Sequence, residues 1–141
     1  MKYLISVLFL LITLTSISQG GLVKRSYYHC VVESPSRPDI QGSYKIKTTF
    51  VYNPYSLPSL LHIRADGKRV LYIRVSGIGE SDVNEVGYSF FWAIDERDRK
   101  ILIQVFDNED MGVSIFTDTD IVDGHTAFHF FNRKAKVHEK L

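Results

Sequence analysis

The sequence predicts an α+β fold, with one helix packed on an antiparallel β-sheet. Two observations on the residues carry the sheet. Four runs rich in β-branched and aromatic residues follow one another at 88–94, 101–106, 113–117 and 126–131, with polar turns at 95–100, 107–112 and 118–125 between them. Such runs, broken by Asp, Asn and Gly clusters, mark an antiparallel meander. A period of two agrees: Ile101, Ile103 and Val105 share one face, and Phe128 and Phe130 share another. The helix is placed at residues 39–51, which by themselves fit helix and strand equally.

In chain order, residues 1–20 read as an export signal. Lys2 supplies the positive start, residues 3–14 are an apolar run, and Ser18 and Gly20 take the −3 and −1 positions before the cut. The apolar run is too short to span a bilayer, so no stable membrane association is expected. Residues 21–25 form a short leader ending in the dibasic pair Lys24-Arg25, which a secretory processing protease can cut. About 120 residues then remain, enough for one core. They divide into a domain at 26–132 and a basic tail at 133–141 that frays.

Residues 26–32 read as a short strand, and the two prolines and two serines of 33–38 make a loop. From Asp39 two readings stand. Asp39 is a fair helix cap, and Ile40, Tyr44 and Val51, with Ile46 and Phe50 beside them, make a rough helical stripe. Yet Tyr44, Ile46, Thr48, Phe50 and Tyr52 also alternate, and the adjacent Thr48 and Thr49 favour strand. Pro54 and Pro58 break the chain. Residues 61–65 and 70–75 read as a hairpin around Asp66-Gly67, and 77–87 as a polar loop.

Net charge is +1, but it is unevenly spread. Residues 24–74 hold nine basic and three acidic side chains, whereas 80–123 hold twelve acidic and three basic. Such asymmetry attracts polyanions or pairs internally. The candidate nucleic-acid site is the basic hairpin, Arg64, Lys68, Arg69 and Arg74 with Tyr72 among them. Cations track phosphate, and an aromatic between them stacks a base. The alternative is that these charges pair with the acidic turns at 95–98 and 107–110.

Other chemistry is sparse. Asp118, Asp120, Asp123 and Gly124 have the composition of a calcium loop but not its spacing, and His129 stands where the closing Glu belongs. His125 and His129 share a strand face, but two ligands are too few for a metal. No Ser-His-Asp order, phosphate-binding glycine loop or cysteine cluster occurs. No metal or cofactor is expected.

Spacing then suggests a family. Tyr28-His29-Cys30 opens the chain after the leader, and Asp39-Ile40 follows nine residues after Cys30. Trp92-Ala93-Ile94, Val105-Phe106, Phe116-Thr117-Asp118-Thr119 and Phe128 come later, in that order. This order resembles the small guanyl-specific fungal ribonucleases. Together with the export signal, Tyr28 and Cys30 also look like the motif of the secreted effector candidates of powdery mildew fungi. The resemblance implies a helix from Asp39 and a microbial-ribonuclease-like fold over 26–132.

It also implies a pseudoenzyme with no catalytic residues. In-line RNA cleavage needs a base, an acid and a cation at the phosphate. Phe91 stands where the family has its general-base Glu, Asp118 where it has its general-acid His, and Ile103 where it has an Arg. An Asp at the acid's position is ionised near neutral pH and repels phosphate. The family's closing Cys is missing, so Cys30 is either a buried thiol or the link of a disulfide-bonded dimer. The expected protein is therefore a secreted, catalytically inactive effector, monomeric or joined through Cys30. It would bind a host protein or RNA, outside the cell or after delivery into the host cell. The alternative is a secreted all-β binding module unrelated to ribonucleases. The succession of runs at 90–94 and 101–107 resembles calcium-and-lipid-binding β-sandwiches.

Overall fold

The computed structural model describes residues 21–120 and 124–132 of the chain. The export signal expected at 1–20 and the tail at 133–141 lie outside them. Nine strands follow one another: β1 Val23–Glu33, β2 Gly42–Tyr52, β3 Ser59–Ile63, β4 Arg69–Arg74, β5 Gly79–Val83, β6 Val86–Ile94, β7 Lys100–Phe106, β8 Val113–Thr117 and β9 Thr126–Phe131. All pair antiparallel in one sheet of order β4-β3-β2-β1-β9-β8-β7-β6-β5.

The fold is all-β, and this corrects the α+β, ribonuclease-like expectation: the described residues contain no helix. The segment expected to be helical is a turn around Asp39 followed by strand β2. The alternation at Thr48, Phe50 and Tyr52 decided the outcome, because all three side chains enter the core. A helix over the same residues would scatter them around its axis and strand the β-branched threonines in a poor conformation. Phe91 and Ile103, which replace the family's catalytic groups in that alignment, are buried core residues. Among the described residues no helix is long and apolar enough to cross a membrane.

The sheet closes on itself. β1 pairs with β2 on one edge and β9 on the other, and β4 reaches β6 through Ile73 opposite Ile94 and Arg74 opposite Ala93. Strands β1–β4 and β6–β9 thus make an eight-stranded up-and-down barrel, and β5 continues from β4 along the same edge of β6. A barrel of eight strands is just wide enough for side chains to fill its interior. Tyr27, Phe50, Leu60, Tyr72, Phe91, Ile103, Val113, Ile115 and Phe130 do so, with every wall strand contributing. Closure is visible in ring contacts between strands that are not neighbours. His62 of β3 meets Phe130 of β9 edge-on at 5.4 Å, and Phe50 of β2 meets Phe130 at 5.3 Å. A smaller cluster of Phe106, Met111 and Phe131, joined by Val31, Val83, Val86 and Tyr88, packs apart from this core.

Local chemistry sets the turns. Val83 pairs with Val86 across Asn84 and Glu85, both left-handed (φ 47° and 67°), as a two-residue hairpin of the type I′ kind requires. β5 belongs to the segment expected to be a polar loop. It forms because the Phe90 ring lies over Gly79, where a Cβ would sit 2.3 Å from the ring, an aromatic covering a bare edge glycine. The β3–β4 hairpin turns at Gly67 (φ 81°), as Asp66-Gly67 predicts. Between β6 and β7 the buried Asp95 carboxylate accepts the Arg97 and Arg99 N–H groups at 2.9 and 3.0 Å and the Arg99 guanidinium at 2.8 Å. Burial pushes its pKa up, but the Arg99 and Arg97 contacts outweigh that and hold it below the usual value.

Candidate functional site: the overhanging edge of strand β2

β1 and β2 each run for 11 residues, but β3 has only 5. β3 therefore covers β2 only from Thr49 to Tyr52, and residues 42–48 have β1 on one side and no strand on the other among the described residues. A wall strand should alternate buried and exposed, yet residues 43–47 are exposed in succession. This part of β2 overhangs the barrel. The register slips within it: Tyr27 faces Thr48 but His29 faces Lys45, so Ile46 and Lys47 together oppose Tyr28. The resulting bulge lets both Tyr27 and Cys30 point into the core, three residues apart. It also turns Tyr28 out, 52% exposed, beside Ile46 at 38%, while Tyr44, 41% exposed, pairs with the buried Cys30.

Tyr28, His29, Lys45, Ile46 and Lys47 line an open groove of about 400 Å³. His29 stacks on Phe131 at 5.7 Å, and Tyr44 donates its hydroxyl to the Ile40 carbonyl at 2.6 Å, so both rings are held. No carboxylate among the described residues lies within salt-bridge distance of Lys45 or Lys47. The site thus combines unpaired backbone groups, two uncompensated cations and two exposed apolar side chains, Tyr28 and Ile46.

The sequence-predicted nucleic-acid residues are not presented together. Tyr72 points into the barrel, buried beside His62 at 6.2 Å between ring centroids. Arg74 donates Nε to the Leu57 carbonyl and Nη1 to the Ser76 carbonyl, fixing it against the chain. Arg64, Lys68 and Arg69 stay on the surface, with Arg64 Nε 3.9 Å from Asp66. Of the two motif residues, Tyr28 lines the groove, while Cys30 is buried and burial pushes its thiol up to about 12. A disulfide through Cys30 therefore requires β1 to open. Lys24 and Arg25 lie within β1, opposite Val51 and Phe50, and Arg25 is bridged to Glu109.

Of two buried histidines, His62 was not singled out by the sequence and His129 was weighed only as a metal partner of His125. Ser114 Oγ lies 2.8 Å from His129 Nδ1, and His129 Nε2 lies 3.6 Å from Glu33 Oε2. The composition is that of a hydrolase triad, assembled from three adjacent strands. Ser114 is fully buried, which leaves its hydroxyl no open face for a substrate. Burial pushes His129 down to about 4, so the Glu33 contact is no ion pair at neutral pH. His62 stacks on Phe50 at 4.6 Å and, among the described residues, has no hydrogen-bond partner for either ring nitrogen. Asp118 accepts weak hydroxyl contacts from Thr117 and Thr126 at 3.4 Å, while Asp123 lies outside the described residues. No three His, Cys, Asp or Glu side chains among the described residues gather as a metal site.

These features define a closed antiparallel barrel with a basic, partly apolar strand edge left open. No protein-family model, curated protein or solved structure matches the chain.

Proposed function

We propose that the protein is an exported, non-catalytic binding module that takes an extended acidic segment of a partner protein on the open edge of β2. The observation that carries this reading is the run of exposed residues 43–47, beside an edge that, among the described residues, has no strand neighbour, with two lysines that have no counter-charge there. An open edge offers main-chain hydrogen bonds to an extended chain, and flanking side chains supply the selectivity. Lys45 and Lys47 favour carboxylates, and Tyr28 and Ile46 offer apolar area beside them. Export is supported by the pattern of residues 1–20. A protein partner is favoured over RNA because Tyr72 is withdrawn from the basic hairpin and Arg74 is tied to two carbonyls.

Immobilised poly-L-glutamate, poly-L-lysine and single-stranded RNA test the reading in parallel. The protein is expected to be retained on polyglutamate, to lose retention in K45E/K47E, and to keep it in K68E/R69E. Retention unaffected by K45E/K47E, or retention on RNA instead of polyglutamate, overturns the reading.

A further inference from the structure

The sheet has a second open edge, and its chemistry is the complement of the first. β5 pairs with β6 through Gly79–Phe90 to Val83–Val86 and has no strand on its other side among the described residues. Residues 80–82 are exposed in succession, as 43–47 are. Glu80 and Asp82 stand two residues apart on this edge, as Lys45 and Lys47 do on the other. No cation among the described residues lies within salt-bridge distance of either carboxylate.

The registers place the two edges at opposite ends of the barrel. β2 runs past β3 at the end marked by Thr49 opposite Ile63. β5 continues from β4 at the other end, where Ser59 faces Ile73 and Tyr52 faces Leu60. We propose that the acidic edge strand β5 of one copy adds to the basic edge strand β2 of the next, so that the protein assembles head to tail through its sheet. This rests on the β2 edge being a binding edge, and it names a second copy of the chain as the acidic segment.

Spacing and charge both favour that occupant. Side chains on one face of a strand repeat every second residue. Glu80 and Asp82 therefore share a face, and Lys45 and Lys47 line one groove at the bulge, so two carboxylates meet two ammonium groups whether the added strand runs parallel or antiparallel. Opposite charges across a strand pair stabilise it, and like charges destabilise it. The same lysines oppose pairing of one β2 edge with another, and the same carboxylates oppose β5 with β5. Only the unlike edges fit. Since they lie at opposite ends of the molecule, the contact is heterologous and propagates from copy to copy, as an open chain or a closed ring.

The test is the mass of the purified protein in solution, by light scattering and sedimentation velocity, across a concentration series at low and high salt. Wild type is expected to grow in mass with concentration at low salt and to fall back toward monomer at high salt. K45E/K47E and E80K/D82K should each stay monomeric alone, with the wild-type far-UV spectrum. An equimolar mixture of the two should assemble, because every contact between them is again between unlike charges. A wild type that stays monomeric, or a mixture that stays monomeric after each single variant has, overturns the proposal. If wild type stays monomeric while polyglutamate retention still depends on Lys45 and Lys47, self-assembly falls and the binding edge stands. If retention fails as well, both fall.

Discussion

His62 concentrates the cost of this interior in one side chain. Its ring is stacked on Phe50, with Tyr72 and Phe130 around it, and neither nitrogen has a partner among the described residues. Burial pushes its pKa down to about 4, with the Arg64 charge adding to the effect. In the unfolded chain a histidine titrates near 6.5. Between those values the unfolded state binds more protons, so stability is complete above pH 6.5 and is lost as pH falls toward 4. A full shift of this size corresponds to roughly 3 kcal/mol. H62F should be as stable as wild type at pH 7, or more stable by about 1 kcal/mol, because it removes two unsatisfied polar atoms. It should also lose part of the acid sensitivity. Urea denaturation at pH 7 and pH 5 checks both, and the remaining slope belongs in part to His129, also pushed down to about 4. Gly112 is a second residue-scale test. Its φ is 71°, and a Cβ there would sit 2.0 Å from the Phe130 carbonyl oxygen. Left-handed backbone and a backbone clash together should make G112A cost about 2 kcal/mol or more, read from the denaturation midpoint.

At the scale of elements, what the sequence makes legible is whatever is written locally. The runs at 88–94, 101–106, 113–117 and 126–131 correspond to β6 to β9, within two residues at each end, and Asp66-Gly67 marks the β3–β4 turn. β2 was ambiguous because Ile40, Tyr44 and Val51 fit a helical stripe as well as Tyr44, Ile46 and Thr48 fit a strand. Pairing with β1 and β3 settled it, and that pairing is not local. β5 was illegible because Gly79, Glu80, Ser81 and Asp82 carry no apolar alternation. Its partner, the Phe90 ring over Gly79, lies on the next strand. F90A should therefore speed amide exchange across Gly79–Val83 selectively and leave β7 and β8 unchanged, as hydrogen–deuterium exchange would show. The Asp95 turn tests a different device. D95A leaves two backbone N–H groups and the Arg99 guanidinium without their acceptor, so a loss of about 2 kcal/mol is expected in thermal or urea melts.

At the scale of the molecule, closure decides both core and function. The two pairings that close the barrel, β1 with β9 and β4 with β6, join segments with no shared sequence signal. The candidate site was hidden for the same reason. Tyr28 was visible as a motif residue, but Lys45, Ile46 and Lys47 become a site only because β3 is shorter than β2. The basic hairpin was visible as charge, yet the barrel turns Tyr72 inward and anchors Arg74.

The central claim is that the sheet closes while residues 42–48 of β2 keep an open edge that accepts an added strand. Residue-resolved amide exchange by NMR, on the protein free and with poly-L-glutamate, tests it most directly. Inward and outward N–H groups alternate along an edge strand. In the free protein at a concentration where it is monomeric, the amides from Ser43 to Thr48 that point away from β1 should exchange fast while Cys30 and Val31 of β1 stay protected. Binding should slow those same fast amides. Uniformly slow exchange across 42–48 in the free protein, or fast amides that polyglutamate leaves unchanged, would contradict it.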